Sequence, residues 1–429
     1  MTTSEFFVNQ DYGSEYFIGG KITHQWIVDC LDKNDDEFKK YKGNSKIKEI
    51  NGVDISDGKG FLSKVFKTDI HFDDEKKKPY SIVIKIPGDD SIKESMEKQN
   101  IENDMTDDFN IDSIAGFHNK ECLFYSKFAS KIKFLKYPKC FGCKDLESGK
   151  QTGVLIMQFM GSNSKTVPFY RLLNIHQTKS ILNDVFKLQE FSLLDSDDSW
   201  KGIFQQPFIK NQFKNLQKYI RIKLSDIKCY TSKEMWLNVE KDLDILIENY
   251  VKIAEHTYFH LATSKNNFPV IAHGDMWINN FMFEVDSNDN CSNNLSAIID
   301  WQTVHEGNTG CDIARILAIS TPFDVRREIE KYYLPDFYKK LKDSIINNGK
   351  EMKISYETFI NNYKSCFIEQ SILSIFMVGF ALQEFNVPDD NDYVWDARKF
   401  KIGLNIYYNI YDSINFCKEI HPEWLESNK

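Results

Sequence analysis

The sequence predicts an α+β chain, β-rich in its N-terminal part and mainly helical in its C-terminal part. Three observations predict it. Between Gly52 and Ile86 apolar residues alternate or form short β-branched runs, the period-two signature of strands. After about residue 161 the apolar spacing turns helical, over Gln177–Phe191, much of Phe208–Leu224 and Met235–Leu261. Between those helices and the C-terminal ones lies Ile271–Trp301, where two short apolar runs flank a polar turn, the pattern of a β-hairpin.

The whole chain sets limits first. Its 429 residues suit two lobes or domains. A hydrophobic share of 41% supports a sizeable core and argues against wholesale disorder. The net charge of −9 disfavours a nucleic-acid partner, which needs a basic face. The opening MTTSEFFVNQDYGSEYF has neither a basic n-region nor an apolar h-region, so no secretory signal is predicted. The charge-free apolar stretch between Glu369 and Glu384 is too short to span a bilayer and reads as a buried helix. Nine scattered cysteines predict reduced thiols and a cytoplasmic setting.

In chain order, residues 1–45 are polar and mixed and read as an N-terminal arm. Gly58 and Gly60 flank Lys59, and after them Phe66, Thr68, Ile70 and Phe72 alternate with Lys67, Asp69 and His71. This is a half-buried strand. A dinucleotide fingerprint or P-loop would have a helix after its glycines; strand, glycine turn and strand suit a loop whose backbone covers phosphates, or an ordinary hairpin. Tyr80–Ile86 is a second strand, and its Lys85 either snorkels from an edge or points at an anion. An acidic insertion over 88–113 precedes a helix that carries Glu121. That Glu is either solvent-facing or the partner that holds Lys85. Tyr137–Phe141 and Gly153–Met157 read as further strands. Cys140 and Cys143 form a lone CxxC without a second pair, so neither metal nor redox work is assigned to it. His256 and His260 lack the Glu a zinc protease would place between them.

The hairpin carries the chemistry. His273-Gly274-Asp275 is followed five positions after the Asp by Asn280. The first apolar run, Phe281–Phe283, leads into an Asn/Asp/Ser cluster from Asp286 to Asn294, which is turn chemistry. The second run, Leu295–Ile299, ends at Asp300. In an antiparallel hairpin the start of the first strand lies beside the end of the second. Asn280 and Asp300 should therefore meet as oxygen ligands suited to Mg2+, with Asp275 one loop upstream. Positioning plus charge neutralisation is what phosphoryl transfer requires. Downstream, Asp312 is predicted to cap a helix.

The ordered set Gly58-Lys-Gly60-Phe, Val83-Ile-Lys85, Glu121, His273-Gly-Asp275-x4-Asn280, Ile299-Asp300-Trp301-Gln302 and Gly307-x4-Asp312 resembles a known family. It is similar to the choline-kinase-like and ecdysteroid-kinase-like (CHK kinase-like) branch of the aminoglycoside phosphotransferase group. The likeness runs from about Gly52 to Leu382. It implies a bilobal protein-kinase-like fold: N-lobe over 46–160, with a nucleotide-covering sheet and helix, and helical C-lobe with the catalytic hairpin over 161–429. By the same resemblance ATP and Mg2+ are the cofactors. The Gly58–Gly60 backbone would cover the phosphates, Lys85 would hold them and Glu121 would orient Lys85. Asp275 would position the acceptor hydroxyl, Asn280 and Asp300 would bind Mg2+, and Asp312 would brace the catalytic loop. His273 reads as structural.

The chain departs from protein kinases in having HGD for HRD, IDW for DFG and no evident APE segment. The expected activity is therefore transfer of the γ-phosphoryl to a hydroxyl of a small molecule, a choline-, steroid- or xenobiotic-like alcohol. The alternative is a pseudokinase that binds nucleotide as a scaffold.

Overall fold

The computed structural model describes residues 16–17, 22–56, 62–88, 110–196, 198–205, 208, 210–384 and 392–427. The chain divides into two compact units, Met1–Ala129 with Tyr137–Ser162, and Ser130–Lys136 with Asn163–Lys429. The first is β-rich and the second mainly helical, the order of elements the sequence predicts.

In unit 1 the described elements are β1 (Tyr16–Phe17), β2 (Ile22–Thr23), α1 (His24–Asn34), α2 (Asp36–Lys42), β3 (Ile47–Asp54), β4 (Ser63–Phe72), β5 (Tyr80–Pro87), α3 (Ile111–Leu123), β6 (Cys140–Lys144) and β7 (Val154–Gln158). Strands β3-β4-β5-β7-β6 form one antiparallel sheet in that spatial order. The alternation of β4 is as read: Phe66, Thr68, Ile70 and Phe72 are buried, and the residues between them are half-buried. The strand predicted over Tyr137–Phe141 begins at Cys140 instead, because Pro138 has no N–H for the ladder.

The stretch read as an arm supplies helices. Thr23 Oγ1 accepts from Trp26 N at the start of α1, and the Asp35 carboxylate accepts from Glu37 N and Phe38 N at the start of α2. Such caps satisfy backbone donors that a helix leaves orphaned. Ile27, Leu31 and Phe38 then enter the same apolar core as Phe66, Ile70, Ile82 and Ile84 of the sheet.

Unit 2 opens with β8 (Ser164–Thr166) and the long helices α4 (Ile175–Leu194) and α5 (Lys210–Lys228). Asn174 and Gln177 form a capping box at the start of α4. The third predicted helix, Met235–Leu261, is broken into Glu240–Glu248 and Tyr250–Glu255 with a wider turn at His256–His260. Asn249 sits at the break, where its Nδ2 donates to the carbonyls of Trp424 and Glu426. Next come β9 (Val270–Ala272), β10 (Phe281–Val285), β11 (Cys291–Ile298), β12 (His305–Gly307), a short α6 (Cys311–Arg315), α7 (Leu334–Asn347), α8 (Tyr356–Glu384) and α9 (Asp392–Ile420). Sheet order is β11-β10-β8, with β12-β9 as a separate pair. Ser130–Lys136 belongs here because Lys136 accepts from Ile298 N through its carbonyl and donates its own N–H to Asp184.

The hairpin registers Phe281 against Ile298 and Val285 against Cys291. Its second strand starts at Cys291, inside the cluster read as turn. The turn is confined to Asp286–Asn290, where Asp286 Oδ1 accepts from Asn288 N and Asn290 N. Helix α8 contains an apolar window long enough to cross a membrane, over Tyr356–Leu382, and 89% of that window is buried within the protein.

Leu31 is fully buried in the core of unit 1, so Leu31→Ala is expected to lower stability by about 2–5 kcal/mol. Urea unfolding checks this; a change below about 0.5 kcal/mol would mean that α1 does not share the sheet's core.

Candidate active site

Alternation along β5 turns Lys85 to the face opposite Ile82 and Ile84. Lys85 is only 5% exposed and Glu121, on α3, is fully enclosed. Their ammonium and carboxylate lie 2.6 Å apart. Two charges tolerate such burial only as a hydrogen-bonded pair. The structure thus joins two residues that the sequence offers separately. Gly58 and Gly60 lie outside the described residues.

In unit 2 the key loop leaves β9 at Ala272. The buried Asp312 carboxylate accepts from His273 N at 2.8 Å and from Gly274 N at 2.9 Å. Asp312 is not the predicted N-cap. Gly310 holds that position, where an added Cβ would lie 2.4 Å from the α8 backbone at Asn362 and Tyr363. Asp312 stands in the first turn and spends its lone pairs on the neighbouring loop instead. Gly274 has φ +83°, and a Cβ there would come within 2.6 Å of Thr303 O. Only glycine fits both the left-handed backbone and the contact.

His273 is fully buried. Its Nδ1 accepts from Asp275 N and its Nε2 donates to Ile299 O; its ring packs edge-on against Trp301, with centroids 4.5 Å apart. Burial holds the imidazole below its usual range, against the pull of Asp312 and Asp275. A neutral ring with both nitrogens occupied ties the loop to the hairpin.

Asn280 Nδ2 donates to Asp275 O and Asp275 Oδ2, each at 2.9 Å. Both acceptors are oxygens without protons, so the amide must point its NH2 at Asp275, which leaves Asn280 Oδ1 as an acceptor or ligand. Ile299 N donates to Asn280 O at 3.0 Å, which sets Asp300 next to this strand entry. Asp300 has φ 67° and ψ 62°, a left-handed conformation that Asp tolerates better than most residues. Its Oδ2 accepts from Gln302 Nε2.

The sequence reading missed Arg315. Its guanidinium, on a residue 6% exposed, pairs with Asp275 Oδ1 and donates to Gln370 Oε1 at 3.0 Å. Burial would lower its pKa, but Asp275 foremost, with Tyr258 and Glu369, raises it on balance. The available signal was its spacing: Arg315 lies one turn after Asp312 in the same helix, so both reach the same loop. Behind it, Gln370 donates to Glu369 Oε2 at 2.6 Å and Tyr250 donates to Glu369 Oε1 at 3.0 Å. Burial raises the Glu369 carboxyl from an ordinary 4.5 to about 7.

Among the described residues no group of three or more His, Cys, Asp or Glu is arranged to hold a metal by itself. Asn280 and Asp300 offer the hard oxygen donors that Mg2+ prefers, and Mg2+ commonly takes only one or two protein ligands and completes its shell with phosphate and water. The donor set fits that ion on those terms.

A family model described as DUF1679, Uncharacterized oxidoreductase dhs-27, matches residues 35–399. The Uncharacterized oxidoreductase dhs-27 of Caenorhabditis elegans is 28% identical over 389 residues, 89% of this chain. The chain spans only 45% of that relative's length. Among solved structures, choline kinase from Cryptosporidium parvum is similar at 13% identity and a TM-score of 0.44, with 94% of this chain and 97% of that chain covered. The GDP complex of aminoglycoside 2'-phosphotransferase-IIIa is similar at 12% identity and a TM-score of 0.41, covering 87% of this chain and 96% of that chain.

Glu369 gives a pH prediction. With its folded pKa near 7 and its ordinary value at 4.5, the folded state binds the extra proton between those values, so stability falls as pH rises through that window. Glu369→Gln should remove that slope, shrinking the stability difference between pH 4.5 and pH 8 by roughly 3 kcal/mol at 1.36 kcal/mol per unit. Urea unfolding at the two pH values measures it; an unchanged difference would mean that Glu369 is ionised throughout.

Proposed function

The chain belongs to the DUF1679 family, which is ecdysteroid- and choline-kinase-like, and from that premise we propose an ATP- and Mg2+-dependent phosphotransferase acting on the hydroxyl of a small molecule. The observation that carries the reading is the Asp275 loop: a carboxylate bonded on one oxygen by Asn280 and on the other by Arg315, on a backbone clamped by Asp312.

Each residue then has a task. Lys85, fixed by Glu121, would neutralise nucleotide phosphate charge. Asn280 Oδ1 and Asp300 would hold Mg2+, which supplies charge neutralisation at the transferring phosphoryl group. Asp275 would accept a hydrogen bond from the acceptor hydroxyl and orient it in line with the γ-phosphorus. Pairing with Arg315 and Asn280 fixes the direction of the Asp275 carboxylate. That suits a loose phosphoryl-transfer transition state, which asks for alignment more than for early deprotonation. Arg315 is a positioning residue in this scheme.

The oxidoreductase name belongs to a relative of which this chain matches under half. The glycine stretch leads into strand β4, whereas a dinucleotide-binding turn leads into a helix.

The test is mass spectrometry of a small-molecule extract incubated with the purified protein and Mg-ATP. A metabolite gaining one phosphoryl group is expected with the wild type, and Asp275→Ala should slow its formation by about 10²–10⁴-fold while ATP binding persists. ATP binding without phosphorylation of any compound, even with choline, ethanolamine and sterol alcohols added, would favour a nucleotide-binding scaffold. Arg315→Met should lower kcat by about 10–100-fold and leave the KM for ATP nearly unchanged; equal loss in both would mean that Arg315 merely supports the fold.

A further inference from the structure

A chain of hydrogen bonds runs back from the Asp275 carboxylate into the core. Arg315 pairs with Asp275 Oδ1 through Nη2 and donates through Nη1 to Gln370 Oε1 at 3.0 Å. Its buried Nε finds no acceptor among the described residues, so the described bonds of the guanidinium are at its two ends. Gln370 Nε2 donates to Glu369 Oε2 at 2.6 Å and to the Tyr258 hydroxyl at 3.2 Å. The Tyr250 hydroxyl donates to Glu369 Oε1 at 3.0 Å. Arg315, Gln370, Glu369, Tyr250 and Tyr258 are all buried.

The chain works in one sense. A guanidinium only donates, so Gln370 must turn Oε1 to Arg315 and its NH2 to Glu369. A charged acceptor strengthens the bond it receives, and bonds in a chain polarise one another. An ionised Glu369 therefore makes Gln370 Oε1 a better acceptor, and Arg315 is gripped from behind. A proton on Glu369 takes away the charge at the end of the chain and weakens that grip. The fold accommodates the proton on Oε1, where the Tyr250 hydroxyl can turn to accept it, because Oε2 faces an N–H. The groups that bear on Glu369 are Tyr250, Tyr258, Arg315 and Cys311 from neighbouring elements and Cys366 on α8 itself. Burial pushes both phenols and both thiols up, so they stay neutral and Arg315 is the cation of the group. Burial likewise raises the Glu369 carboxyl to about 7, with Tyr250, Arg315 and Gln370 opposing.

We propose that Glu369 is a proton-sensitive positioning residue for Asp275: ionised, it firms Arg315 through Gln370, and protonated, it lets Arg315 and the Asp275 carboxylate loosen. The inference rests on the phosphotransferase reading only where turnover is concerned.

The experiment uses the full chain labelled with [4-13C]aspartate. Carboxyl resonances are followed by NMR from about pH 5 to pH 9, and that of Asp275 is assigned by its loss in Asp275→Asn. In the wild type it should show an inflection near pH 7, the midpoint of Glu369. Glu369→Gln should abolish the inflection. Tyr250→Phe should move it to higher pH, since the Tyr250 bond lowers the Glu369 pKa. A wild-type Asp275 resonance that is flat around pH 7 overturns the proposal, and that result depends on no variant folding. An inflection that persists unmoved in Glu369→Gln overturns it as well. With the acceptor in hand, kcat of the wild type should rise about three- to tenfold through pH 7 relative to Glu369→Gln, which shares every ionisation of ATP and acceptor, while the KM for ATP changes alike in both. Profiles of the same shape overturn the proposal. If no compound is phosphorylated, the phosphotransferase reading falls and the Asp275 resonance alone decides the role of Glu369.

Discussion

The buried carboxylate of Asp312 is the constraint on which the Asp275 loop depends. It lies in the first turn of α6 and accepts from two consecutive backbone N–H groups, those of His273 and Gly274. Burial raises its pKa, while the backbone N–H bonds, His273 and Arg315 oppose that rise. Charge-assisted bonds of this kind are among the stronger ones a fold can make, and here they fix the left-handed turn at Gly274. The residues on either side of that turn take their places from it: His273 between the hairpin and Asp275, and Asn280 folded back onto Asp275.

Arg315 extends the same logic into electrostatics. A carboxylate held on both oxygens has little rotational freedom, and the cation that holds it is itself oriented by Gln370 of α8. Glu369, next in that helix, is bonded by Tyr250 and Gln370 rather than by a dedicated cation. A buried network of this sort has few alternatives open to it, because any unpaired member would lose its hydrogen bond without water to replace it. The long apolar helix α8 is thus the backing of the loop as well as a core element.

Much of this was legible in the sequence, and the parts that were not share a cause. The strands announced themselves through period-two alternation at Phe66–Phe72, and the hairpin through its polar turn. Local chemistry was enough to place Asn280 and Asp300 at one end of it. Lys85 and Glu121 were each ambiguous because their meeting depends on α3 packing over the sheet, a contact across 36 positions of sequence. Arg315 was missed for the same reason: its partner lies 40 positions away, and its spacing from Asp312 acquires meaning only once Asp312 is known to face the loop. Asp312 was misread as a cap from its own surroundings, because a carboxylate near a helix start fits that role locally; the resemblance implied instead that it braces the loop, and its bonds from His273 N and Gly274 N match that.

The arrangement also bears on how such a loop divides labour between basicity and geometry. Asp275 is bonded on one oxygen by Asn280 and on the other by Arg315, so the direction of its carboxylate is fixed before anything binds. Under the proposed phosphotransferase reading that geometry counts for more than basicity, because a loose phosphoryl-transfer transition state asks chiefly for alignment of the acceptor.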